Sequence, residues 1–185
     1  MKKAVALLLG LTAVACAAPA PPPAPPPPPP STAIVNSLKG PYEMVKGYLT
    51  RSAEMMPEAK YSFRATKDVR TVAELYGHIA DANFMFCGYA SGQTAPAAER
   101  EKLTKKADVQ KALADSFAFC DQAIAAIPND VVGGQEVDLT LLKMKNTRAG
   151  TIAFNTAHDM EHYGNIVTYM RLNNMVPPSS APPAK

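Results

Sequence analysis

The sequence predicts an all-α protein, an antiparallel four-helix bundle. Apolar residues recur at three- and four-residue steps in four long segments, which is the period of an amphipathic helix. Helix-end signals separate these segments: a capping box, glycines and prolines. Proline-rich stretches at both ends leave residues 31–176, roughly 145 residues, which is enough for one domain with a single core. Four long helices of this kind pack as a bundle.

The first helix is predicted over residues 33–56, with Val45 and Leu49 on its apolar stripe. Gly40 and Pro41 lie inside it and predict either a kink or the true first turn of the helix. The second helix has the clearest boundaries. It begins at the capping box Thr71-x-x-Glu74, and a serine–glycine pair ends it after residue 90.

The third helix is predicted over residues 105–127, where a proline stops it, and the fourth over residues 147–173. Between them, residues 128–146 contain a Val-Val-Gly-Gly run followed by the stretch EVDLTLL, which could form a short strand or turn. We interpret this segment as a long loop. The whole domain, residues 31–176, therefore contains four helices and no sheet in this prediction.

The two ends of the chain are predicted to lie outside the domain. Residues 1–18 have the pattern of an export signal: two lysines, an apolar run too short to span a bilayer, and a small-residue cleavage site. Cys16 follows that site, so processing either releases the protein to the periplasm or acylates Cys16 as a lipid anchor. Residues 19–30 are a proline-rich linker, expected as an extended spacer, and residues 177–185 are expected as a disordered tail.

The charge of the chain argues against a nucleic-acid ligand. The formal charge of +3 falls to +1 when the two lysines of the leader are removed. A near-neutral domain has no basic face to neutralise phosphates or to bind an anionic membrane surface. We therefore expect a small-molecule substrate, which the sequence leaves unknown.

The three histidines of the chain can form one metal site. His158 and His162 are four residues apart on the last helix, so their imidazoles lie on one face about one turn apart. His78, on the second helix, would complete a three-histidine set. Three protein ligands leave a coordination position for water or substrate, as in catalytic sites. Taken alone, His78 is as readily explained as a hydrogen-bonded core histidine.

Several polar residues near the histidines are candidates for supporting roles. Glu74 and Glu161 are the candidate catalytic groups for proton transfer. Asn155, Asn165 and Tyr169 share the helical face of the histidine pair and are predicted to line the pocket. Each of them is also of a type that commonly sits on a solvated helix surface.

Cys87 and Cys120 are candidates for a disulfide. Cys87 lies half a turn from His78 on its helix, so it points away from the metal face, and Cys120 lies on the apolar stripe of the third helix. An exported protein permits a disulfide between neighbouring helices. The alternative is two small buried core residues.

Two stretches also resemble a known family. Residues 158–178, HDMEHYGNIVTYMRLNNMVPP, resemble the last helix of the DinB/YfiT-like superfamily, and residues 61–81 are similar to its loop into the second helix. The resemblance covers the whole mature domain. It implies a four-helix bundle, often a homodimer, that binds a divalent metal, zinc or nickel, through His78, His158 and His162. Characterised branches resemble thiol S-transferases and isomerases, and other members look like metal-dependent hydrolases.

Three functions remain open on the sequence. The first is an exported metal-dependent enzyme, a hydrolase or a transferase. The second is a non-catalytic metal- or ligand-binding protein of the cell envelope. The third is a bundle whose histidines are only structural.

Overall fold

The computed structural model describes residues 26–181 and confirms the helical bundle. The export signal, Cys16 and the first part of the proline-rich linker lie outside the described residues, as do residues 182–185. Seven elements follow one another along the chain: α1 (Ala33–Met55), α2 (Val72–Ser91), α3 (Lys106–Ala125), α4 (Asp130–Gly133), β1 (Glu136–Leu139), β2 (Met144–Thr147) and α5 (Arg148–Leu172).

The four long helices pack around one apolar core. α2 packs against α3 and α5, and α1 packs against the same two helices. Fourteen of the twenty α2 residues are buried, which requires an almost wholly apolar helix. α1 runs unbroken through Pro41, so Gly40–Pro41 does not mark its first turn. None of the described helices is long and apolar enough to cross a membrane.

The ends of α2 follow the sequence signals. The Thr71 hydroxyl accepts a hydrogen bond from the Glu74 backbone N–H at 3.2 Å, and the Glu74 carboxylate accepts one from the Thr71 N–H at 2.7 Å. This reciprocal pair satisfies two free donors at the first turn. Gly92 ends the helix with φ of 75°, the left-handed conformation that glycine adopts without strain.

The structure corrects the prediction that residues 128–146 form a loop. They contain α4, which Asn129 caps by accepting from the Val132 N–H, and the antiparallel hairpin of β1 and β2. Lys143 takes a left-handed φ of 52° between the strands, and Leu139 is fully buried. The hairpin therefore forms because one of its side chains reaches the core.

Residues 177–181 also differ from the predicted disordered tail. Pro177 and Pro178 are buried, and residues Pro178–Ser180 form a turn of 3₁₀ helix beside α1. The Tyr163 hydroxyl donates to Ser179 Oγ and accepts from the Ser179 N–H, both at 2.9 Å. Two buried prolines and this pair of hydrogen bonds fix the segment to α5.

Candidate metal centre

Two facing helices bring the three histidines together. His158 and His162 lie one turn apart on α5, and His78 lies opposite them on α2. One ring nitrogen of each residue lies within 4.8 Å of the others. The Nε2 atoms of His158 and His162 are 3.0 Å apart. The structure thus assembles the ligand set that the spacing of the histidines predicts.

The donor set fits a divalent metal ion. Two imidazole nitrogens bound to one tetrahedral zinc lie about 3.3 Å apart, close to the separation of the α5 pair. Burial, with the neighbouring His162 and His78, lowers the pKa of His158 to about 4, and burial likewise lowers the pKa of His162. Both rings are therefore neutral near pH 7, the form that donates a lone pair to a cation. His158 Nδ1 is buried without a hydrogen-bond partner among the described residues.

A carboxylate orients the third histidine. His78 Nδ1 lies 2.6 Å from Oε1 of Glu101, which places the carboxylate against one ring nitrogen and leaves Nε2 on the other side of the ring. A carboxylate beside the second nitrogen of a metal-ligating histidine commonly sets the orientation of its ring. The same Glu101 oxygen accepts from Nε of Arg70 at 3.0 Å.

Glu101 reaches the site because a short turn docks tightly on α2. Residues Arg100–Lys102 form a 3₁₀ turn, and its backbone passes so close to Gly77 that any Cβ there would collide with the Arg100 carbonyl. Asp81 accepts from the backbone N–H of Arg100 at 3.0 Å and from its guanidinium at 2.8 Å. The sequence reasoning missed Glu101, and the only signal for it was a glycine inside the helix next to a candidate ligand.

A cavity opens beside His162. Its volume is about 460 Å³, and six further residues line it: Asp68, Val69, Arg70, Leu75, Asn165 and Tyr169. The side-chain nitrogen of Asn165 lies 3.3 Å from His162 Nδ1 and can donate to it. The Tyr169 hydroxyl donates to the Arg70 carbonyl at 2.8 Å, so this tyrosine acts as a wall of the cavity. The structure therefore places Asn165 and Tyr169 at the predicted pocket.

The two predicted catalytic glutamates lie elsewhere. Glu74 is held by the capping box and lies 3.5 Å from the guanidinium of Arg64. Glu161 is exposed on α5, and no hydrogen bond or ion pair among the described residues joins it to the histidines. Neither side chain is therefore placed as predicted for proton transfer: the capping box ties Glu74 to the start of α2, and Glu161 lies on the exposed side of α5.

Asn155 also departs from its predicted place. It is buried, and its amide hydrogen-bonds that of Asn83 at 2.7 Å, away from the cavity. The Asn83 amide lies within 3.1 Å of the buried carboxyl of Asp159, whose pKa burial raises well above its ordinary value. Asn155 thus belongs to a polar core cluster, defined here as Asn83, Ser116, Asn155 and Asp159.

A disulfide borders this polar core cluster. Cys87 on α2 is bonded to Cys120 on α3, with their Cα atoms 5.1 Å apart. Both residues are fully buried, and each sulfur lies 4.0 Å from the amide nitrogen of Asn155. The disulfide joins the two helices, and neither of its sulfurs belongs to the metal site formed by the histidines.

The comparisons with known proteins agree with this fold. The family model of the DinB superfamily matches residues 42–166. The chain belongs to the DinB superfamily. A DinB-like protein from Bacillus cereus ATCC 10987 is similar in structure, with a TM-score of 0.66 at 10% identity over 77% of this chain and 95% of that one. A DinB-like protein from Bacillus subtilis gives 0.57 at 17% identity, over 78% and 94%. No curated protein matches the chain.

The DinB match includes all three histidines. The superfamily is a metal-binding fold, and the matched region contains His78, His158 and His162. In this DinB protein the three side chains converge and can hold a metal ion.

Proposed function

We propose that this DinB protein is an exported, metal-dependent hydrolase or transferase acting on a small molecule. Its ion would be zinc or nickel, bound by His78, His158 and His162. One observation carries the proposal: three imidazoles, two of them with lowered pKa, converge, and one of the three, His162, lines an open cavity. Three neutral protein ligands match a site that keeps a position for a substrate.

The surrounding residues have separate tasks in this proposal. A divalent ion at the site would supply Lewis-acid chemistry, polarising an oxygen or sulfur of the substrate. Glu101 contacts the ring of His78 at Nδ1. The Asn165 amide lies 3.3 Å from His162 Nδ1, on the far side of the ring from Nε2, the nitrogen that faces His158. Phe86 lies edge-on to His158 at 5.9 Å between ring centres and keeps that side of the site apolar.

Export rests on two independent features. The first 18 residues have the pattern of an export signal. A buried disulfide joins α2 to α3, and such bonds persist in oxidising compartments rather than in the cytosol. We propose a periplasmic location, with acylation of Cys16 as the route to membrane attachment, and assembly as a homodimer.

A second function, non-catalytic metal binding in the cell envelope, is favoured by one observation. Neither Glu74 nor Glu161 is hydrogen-bonded to a histidine among the described residues. Glu101 contacts His78, but it is also engaged by Arg70. Asp68 lines the cavity, but no hydrogen bond or ion pair joins it to a described histidine. No unengaged carboxylate of the described part of the chain is therefore in contact with the three histidines for proton transfer, a contact that a binder does not need.

Metal content tests the proposed site. We would purify the untagged protein from the periplasm beside the His158→Ala/His162→Ala double variant and measure metals by elemental analysis. About one zinc or nickel ion per chain, lost in the variant, supports the site. If neither protein retains metal after incubation with zinc and nickel followed by dialysis, the site is wrong.

A cobalt-substituted sample separates enzyme from binder. If a coordination position is open, adding azide changes the visible absorption of the bound cobalt, and an enzyme remains supported. If azide leaves the spectrum unchanged, the shell is closed by protein and the non-catalytic binder is favoured. Substrate screening, first with activated esters and then with thiol acceptors, follows only the first outcome.

A further inference from the structure

The cavity next to the histidines is built for an anionic ligand. We infer that the substrate of this site is a small molecule bearing a carboxylate, which the guanidinium of Arg70 binds beside the three histidines. This inference rests on the proposed function, because it concerns the same site. It adds a chemical class for the substrate and a residue that selects it.

Arg70 is held in place from two sides. Its backbone carbonyl accepts the Tyr169 hydroxyl at 2.8 Å, which ties this part of the chain to α5. Its Nε donates to Glu101 Oε1 at 3.0 Å, the oxygen that also faces His78. The guanidinium is thus fixed relative to a histidine of the site by a single shared carboxylate oxygen.

The outer edge of the Arg70 guanidinium is available to a ligand. Its terminal nitrogens make no hydrogen bond or ion pair to the described residues, and its side chain is 43% exposed at the cavity wall. A guanidinium has five N–H donors, of which Glu101 uses one. The remaining fork matches the two oxygens of a carboxylate, which it can bind through two parallel hydrogen bonds.

The charge balance of the cavity favours the same class of ligand. Imidazole ligands bring no negative charge, so they leave the charge of a divalent ion undiminished. Glu101 is already shared between His78 and Arg70, and Asp68, the carboxylate that lines the cavity, is exposed. Val69 and Leu75 provide apolar wall between the charged groups. A short chain with one anionic group at each end therefore complements the cavity.

Calorimetry with succinate tests the inference on the zinc-loaded, full-length mature protein. Succinamide, the uncharged diamide of the same length, is the matched ligand. Arg70→Gln removes the charge and keeps a long polar side chain, and Arg64→Gln is the matched variant. Arg64 is a nearby arginine of similar exposure that pairs with Glu74 and does not line the cavity.

We expect succinate to bind the zinc-loaded protein and succinamide to bind at least about tenfold more weakly, the difference expected for hydrogen bonds to a charged group. Arg70→Gln should weaken succinate binding by about tenfold or more, whereas Arg64→Gln should change it by less than about twofold. Arg70→Lys, which keeps the charge and loses the fork, should fall between the two.

Equal binding of succinate and succinamide would overturn the inference, and so would equal binding of succinate to wild type and Arg70→Gln. Zinc content and circular dichroism, measured on the same samples, show whether each variant is folded and loaded. If the wild type takes up no zinc, the proposed function fails together with this inference. If it carries one zinc ion and does not bind succinate, the inference alone fails.

Discussion

Two polar clusters lie between α2 and α5, and they differ in how their polar atoms are satisfied. The polar core cluster is closed: Asn83 bonds Asn155 and Ser116 and contacts Asp159. The three-histidine centre opens on a cavity and leaves His158 Nδ1 without a hydrogen-bond partner among residues 26–181. Burying a polar group is costly unless it is hydrogen-bonded. A cluster that satisfies itself is therefore structural, whereas one left incomplete beside a cavity indicates a ligand site.

The largest expected effect is loss of metal on removing a histidine. His158→Ala and His162→Ala should each abolish stoichiometric metal binding, because two imidazoles remain of a three-ligand set. His78→Ala should weaken binding strongly. Elemental analysis measures the metal, and far-ultraviolet circular dichroism should show unchanged helix content. Full metal in all three variants would contradict the site.

Removing the disulfide should lower the stability of the polar core cluster and leave the three-histidine centre unchanged. Cys87→Ala/Cys120→Ala is expected to lower the free energy of unfolding by about 2–4 kcal/mol, since the bond constrains the unfolded chain. Metal content should stay at the wild-type value, because neither sulfur is a ligand. Urea denaturation measures the first quantity. Metal loss in this folded variant would show that the two regions are coupled and would break the comparison.

Two asparagines on α5 separate the regions at finer resolution. Asn155→Ala should cost about 1–3 kcal/mol of stability, because the buried Asn83 amide loses a partner, and should leave zinc affinity within about twofold. Asn165→Ala is the matched control on the same helix. It should leave stability nearly unchanged and weaken zinc binding, since Asn165 contacts His162 Nδ1. Identical effects of the two variants on stability and on zinc affinity would contradict the separation of the polar core cluster from the three-histidine centre.

Local signals in the sequence account for most of the fold. The helices could be predicted because apolar period and caps are local properties, as the capping box of Thr71 and Glu74 shows. The β1–β2 hairpin could not, since it depends on Leu139 reaching a core formed by distant helices. The metal site could also be predicted. The i, i+4 spacing places His158 and His162 on one face of α5, and the only other histidine of the sequence lies on α2.

The surroundings of the ligands depended on packing that the sequence does not reveal. Asn155 shares a face with the histidine pair on a helical wheel, yet it lies deeper between α2 and α5 and bonds Asn83. Glu101 follows His78 by 23 residues, beyond the end of α2 and a stretch that has no helical period. Its position depends on the close approach of the 100–102 turn to Gly77, a tertiary contact.

The smallest expected effect concerns that missed carboxylate. Glu101→Gln keeps the size of the side chain beside His78 Nδ1 but removes the negative charge that makes the ring a stronger ligand, so zinc affinity should fall about tenfold. Glu99→Gln is the control: Glu99 lies next to the same turn, is exposed and pairs with Lys102. Competition against a chromophoric chelator measures both affinities. If the two variants bind zinc equally, Glu101 does not act on the site through His78. If only Glu101→Gln binds zinc more weakly, the three-histidine centre depends on the docked turn as well as on its three ligands. The polar core cluster, in contrast, is complete within its own hydrogen bonds.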